Sequence, residues 1–168
     1  EYEKRIRSFH QIIGNKMTEV KTTFLKDYTP PHFLINTVEL IFKLDENLTQ
    51  VNSRLTISRD SRPENKNKPL ILQGENCELV FIKLDGRSLS TKEYQLKDQE
   101  LVIHEVPDQF SLEIENRIKP KENTALSGLY VSRGIFCTQC EAEGFRRITY
   151  FLDRPDVLAR YTTTIIAD

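Results

Sequence analysis

No stretch of this chain is apolar for long enough to span a membrane as a helix. The longest runs, such as Leu40 to Phe42 and Leu79 to Ile82, fall far short of the roughly 20 residues such a span needs. An excess of charge of either sign is also lacking. Lys+Arg 24 against Asp+Glu 25 leaves a net charge of -1, so no basic field collects nucleic acid or an anionic surface, and neither nucleic acid nor membrane is expected as a partner. The first 16 residues mix charges with isolated Ile and Phe and have no apolar core of a secretory signal. Only six glycines occur, and they are scattered, which excludes a Gly-rich phosphate loop; no internal repeat or low-complexity tract is present. Cysteine is sparse and odd in number: Cys77, Cys137 and Cys140. Without an export signal, that count favours reduced thiols and a cytoplasmic setting.

Helical periodicity is nearly absent as well, and short alternating segments take its place. Tyr28, Thr29, Pro30 and Pro31 make a rigid lead-in to a strand, because each proline fixes its own backbone angle and extends the residue before it. Val38, Leu40, Phe42 and Leu44 then alternate with Thr37, Glu39 and Lys43, Ile41 being the exception. Asp45 to Asn47 turn the chain, and Asn47-Leu48-Thr49, although it has the form of a glycosylation sequon, reads as part of an ordinary turn. Val51, Leu55 and Ile57 supply a second strand. Arg59 to Lys68 reads as a solvated loop of mixed charge. Leu70 to Leu72 and Glu78 to Leu84 are further strands, the latter apolar on both sides, with Cys77 a small buried side chain beside it and Asp85-Gly86 a tight turn after it. Tyr94 and Leu96 pair with Leu101 and Ile103 across Asp98-Gln99, and Phe110, Leu112, Ile114 and Ile118 line one more strand. Seven or eight short strands predict an all-β protein, an antiparallel β-sandwich or barrel. The 38 % hydrophobic content of 168 residues suffices for one domain with a real core.

The side chains able to do chemistry concentrate between Cys137 and Asp156. Cys137-Thr138-Gln139-Cys140 has the C-x-x-C form, but zinc wants four ligands, and only Cys77, His10, His32 and His104 remain, scattered. A redox pair is disfavoured by Glu141 and Glu143, which follow at once and oppose a thiolate. His104-Glu105 begins like H-E-x-x-H, but the fifth position is Asp108 and Pro107 would break the helix. Gln139, Glu141 and Glu143 alternate, so on an extended segment they would share one face and could hold a cation such as a substrate ammonium group. The plainer alternative is a polar edge strand whose acids face water and pair with Arg146 or Arg147. The alternation by itself favours that plainer reading.

Asn123-Thr124-Ala125-Leu126, Gly128-Leu129-Tyr130, the run CTQCEAEGFR from Cys137, and TYFLDRPDVLARYTTTIIAD to Asp168 resemble the N-terminal domain of the aminopeptidase N family of zinc-dependent aminopeptidases. The resemblance is nearly continuous from Asn123 and looser upstream. It implies a saddle-shaped β-sandwich for residues 17–168. Residues 1–16 are read as an upstream extension or as residues added to the native chain, not necessarily ordered, and Met17 is one candidate for the native start. It also implies that Gln139 and Glu141 bind substrate, Glu141 taking the free N-terminal ammonium of a peptide. Glu143 matches no family ligand, and Asp153, Arg154 and Pro155, where Asp-Glu-Pro is commoner, read as architecture. No catalytic or metal residue is expected in this chain. Zinc, its ligands and the general base are expected on a thermolysin-like catalytic domain of the same parent chain, which makes that domain the partner, peptide N-termini the substrate and the isolated chain catalytically silent. The ending at Asp168, without a closing turn, reads as a cut. The alternative is a stand-alone β-sandwich interaction module.

Overall fold

The computed structural model describes residues 25–167. The readings for residues 1–16, His10 and Met17 lie outside them. Among the described residues, eleven strands form three sheets. β1 (Phe33–Lys43), β2 (Thr49–Arg59), β4 (Glu78–Leu84), β5 (Arg87–Ser88), β8 (Gln109–Ile118) and β11 (Arg160–Ile166) build the large one, in the order β11-β1-β2-β8-β4-β5. β3 (Leu70–Gln73), β6 (Tyr94–Lys97) and β7 (Glu100–Ile103) form a three-stranded sheet in the order β3-β7-β6, and β9 (Gly128–Ser132) pairs with β10 (Ile135–Gln139) as a separate hairpin.

The core follows from period-two alternation. Val38, Leu40, Val51, Leu55, Ile57, Leu112 and Ile114 from the large sheet join Leu70, Leu72, Leu101 and Ile103 from the small one in a single apolar cluster, each at most 4 % exposed. Burial of each such side chain favours folding by about 1.5–3 kcal/mol. β1 starts earlier than its alternation suggests. Its register shifts between Ile35 and Thr37, and that bulge moves the inward phase from Phe33 and Ile35 to Val38, Leu40 and Phe42. A reader of the sequence sees the phase break as a strand end.

Three further features depart from expectation. β11 runs parallel to β1, the one parallel pairing among the described strands of an otherwise antiparallel fold. β4 is not buried on both sides. A register shift between Leu79 and Phe81 leaves Ile82 and Leu84 buried and Val80 exposed. The loop after β2 is folded rather than simply solvated, because the Arg59 side chain, only 7 % exposed, donates to the carbonyls of Asn65, Lys68 and Val106 and lies 4.6 Å from the centre of the Phe33 ring. The turns agree with expectation. Asp45 Oδ1 accepts from the amides of Asn47 and Leu48, and Asp85 and Gly86 both adopt positive φ.

Candidate functional site

The β9–β10 hairpin carries the dense stretch. Its two-residue turn, Arg133-Gly134, has φ of 51° and 79°, the left-handed pair that suits a tight hairpin. Gln139 ends β10, exposed, opposite Gly128, which contributes no side chain to crowd it. Gly128 is required by more than its φ of 78°: a Cβ there would fall 2.5 Å from the Cβ of Arg147. The strand stops at Gln139. A turn over residues 141–144 follows, with a cis Glu141-Ala142 peptide, and a short 3-10 turn spans Phe145–Arg147.

The expected alternation of Gln139, Glu141 and Glu143 along one extended face is therefore overturned, since a turn has no period of two. Gln139 and Glu141, separated by Cys140, are both exposed where strand gives way to turn. Glu143 departs from them and pairs with Arg146 Nη2 at 3.1 Å, one of the pairings the polar alternative anticipates. Among the described residues, the Glu141 carboxylate has no hydrogen bond or ion pair.

Beneath the turn lies a set of contacts that sequence reasoning missed. Asp153, 5 % exposed, accepts from the Arg146 amide at 3.0 Å and from Arg146 Nε at 2.8 Å, both through Oδ2. Arg146 Nη2 returns to the Asp153 carbonyl at 2.9 Å, and the Asp153 amide donates to Gln73 Oε1 at 3.2 Å. The Gly144 amide donates to the Cys140 carbonyl at 2.8 Å, and a Cβ on Gly144 would lie 2.7 Å from the Gln139 carbonyl oxygen and 2.8 Å from Cys140 Cα. The one available signal was an Arg seven residues before an Asp-x-Pro turn. Arg154 in that turn fastens outward instead, to Asp156 and to the Thr29 carbonyl at 2.8 Å.

The thiols form no disulfide. All three are free, and burial, followed by the charge of Asp153, pushes the Cys140 thiol up. Among the described residues no group of three or more His, Cys, Asp and Glu could hold a metal ion. His104 and Glu105 lie outside any helix. An open cleft of about 780 Å³ runs between Glu75, Lys97, Arg117 and Arg147, but neither Gln139 nor Glu141 lines it, and its Arg147 and Glu75 side chains already pair with each other.

Residues 29–168 match the family described as the Peptidase M1 N-terminal domain. The chain is 51 % identical over 144 residues to aminopeptidase N of Caulobacter vibrioides and 46 % identical over 142 residues to aminopeptidase N of Escherichia coli, covering 86 % and 84 % of itself and 16 % of each relative. It thus spans about one sixth of the length of these curated relatives. Among solved structures, Legionella pneumophila aminopeptidase A in complex with aspartic acid is similar at 35 % identity and a TM-score of 0.78, over 84 % of this chain and 17 % of that one. An M1 zinc metallopeptidase from Deinococcus radiodurans shares the fold alone, at 14 % identity and a TM-score of 0.64, over 81 % of this chain and 32 % of that one.

Proposed function

We propose that this chain, which belongs to the peptidase M1 N-terminal domain family, serves as the substrate-anchoring domain of a zinc-dependent aminopeptidase, in which Gln139 and Glu141 receive the free amino group of a peptide. One observation supports the anchoring role most directly. Glu141 is an exposed carboxylate with no internal partner, in a turn whose other acid, Glu143, is already bound to Arg146. An unpaired carboxylate attracts an ammonium ion, and Gln139, two residues before Glu141, adds a side-chain carbonyl that can accept from the same group.

The reading has a chemical rationale. An enzyme that removes one residue at a time must distinguish a charged chain end from an internal peptide bond, and a carboxylate at a fixed distance from the reacting carbonyl does so by binding the amine and orienting the bond. Zinc and the groups that activate water belong, in this reading, to a catalytic domain elsewhere in the same polypeptide. A stand-alone interaction module is not favoured, since the relatives at 51 % and 46 % identity are aminopeptidases several times the length of this chain.

Hydrogen bonds to charged groups contribute about 1.5–3 kcal/mol, so losing one lowers kcat/KM roughly ten- to hundredfold. In the full-length protein, Glu141→Ala is expected to lower kcat/KM for free-amine peptides by that factor, with much of the change in KM. Steady-state kinetics on an amino-acid arylamide measure it. An unchanged specificity constant would remove Glu141 from the site.

A further inference from the structure

Glu141 is unpaired although a guanidinium lies close by in sequence, and the structure shows what occupies that guanidinium. Arg146 is 19 % exposed in its side chain and is held from two directions. Asp153, in the wall beneath, takes its Nε and its backbone amide, and the Asp153 carbonyl takes its Nη2. Glu143, on the turn above, takes Nη2 as well. One fork-shaped cation thus ties the turn to the wall, which a point charge on a flexible stem could not do in the same way. Gly144, packed against the Gln139 carbonyl and Cys140 Cα, closes the other side of the same turn.

We propose that Arg146 and Asp153 are positioning residues for the amine site, with Glu143 as their link to the turn; the proposal rests on the anchoring role of Glu141. Their work is geometric and electrostatic. The fork sets where the turn stands, and hence where its first carboxylate points. The two carboxylates that share Arg146 also engage its charge locally. Without Asp153 the guanidinium is free to swing onto Glu141 and compete with the substrate ammonium, so the loss of an acid that never touches substrate weakens amine binding.

The test uses the full-length protein and two competitive probes of equal chain length, an aliphatic primary amine and the corresponding alcohol. Only the amine depends on a correctly placed negative charge. The ratio of their inhibition constants therefore reports the amine site, whereas general loosening of the fold moves both together. Asp153→Asn is expected to cut the preference for the amine about tenfold with the alcohol constant unchanged, and Glu143→Gln, on the surface, about threefold. Arg146→Lys, which keeps the charge and loses the fork, should fall between them. If Asp153→Asn does not fold, as its melting curve would show, the Glu143 and Arg146 variants decide. The proposal is overturned if the folded variants keep the parent ratio while Glu141→Gln abolishes it. Should Glu141→Gln also leave the ratio intact, the anchoring reading fails, and the positioning role fails with it.

Discussion

Cys77 shows how far burial changes a side chain. Desolvation pushes its thiol from an ordinary 9.0 up to about 12, and its Sγ lies 3.4 Å from the Arg146 carbonyl, to which it donates. Cys140 is shifted in the same direction by burial, and Cys137 lies on β10, whose other residues are all exposed. Thiolate is the reactive form, so limited iodoacetamide at pH 8 is expected to modify Cys137 first, Cys140 more slowly and Cys77 only on unfolding. Peptide mass spectrometry gives the order, and a Cys77 as fast as Cys137 would contradict it. At this scale the sequence was partly legible. Cys77 as a small side chain packed against the core follows from its apolar neighbours. Asn116 did not: it faces inward on β8, fully buried, with Nδ2 donating to the Ile148 carbonyl at 2.9 Å, a contact between residues 32 apart that no local pattern encodes.

The elements divide by whether their period survives folding. β2 and β8 alternate without interruption and could be drawn from sequence, while β1 and β4 hide bulges that shift the phase. β11 is the extreme case. Its Tyr161, Thr163 and Ile165 lie in register with inward Val38, Leu40 and Phe42, yet every residue of the strand is exposed, Ile165 at 63 %. Tyr161 at least meets Phe145 edge-on at 6.0 Å between ring centres. An exposed edge strand rich in β-branched residues, with Tyr161 and Ile165 on one face, is a template for another strand. The 168-residue chain is therefore expected to self-associate weakly, its mean mass by light scattering rising with concentration, and Ile165→Lys should suppress the rise. A clean monomer at high concentration would refute this.

For the whole molecule, stability should fall at both ends of the pH scale. Arg87 beside Glu93 holds its carboxyl down to about 2 from an ordinary 4.5, Arg62 does the same in direction for Asp60 and Arg154 for Asp156, and the Leu48 amide lowers Asp45. Each folded value lies below the unfolded one, so their stabilisation is complete above about 4.5 and is lost as pH falls towards about 2. Tyr150 and Cys77 work in the opposite sense. Burial raises both to about 12, so their contribution is complete below the unfolded values of 10.0 and 9.0 and is lost as pH rises through about 12. The acid limb should be shallow, because these carboxylates are largely solvated. Urea midpoints at pH 6, 3 and 11 test this, and a flat profile would show that these shifts do not couple to folding. What the sequence determined by itself was the all-β class, most strand positions, the turns at Asp45 and Asp85-Gly86, and the stretch that carries Gln139 and Glu141. Period-two alternation and turn chemistry are local, and local order is written in neighbouring residues. Tertiary structure decided the parallel seat of β11, the turn that breaks the Gln139-Glu141-Glu143 alternation, and the Arg146–Asp153 pair beneath it. Those depend on which distant backbone and charge a segment meets: Asp153 and Glu143 hold Arg146, and Glu141 has no partner among the described residues.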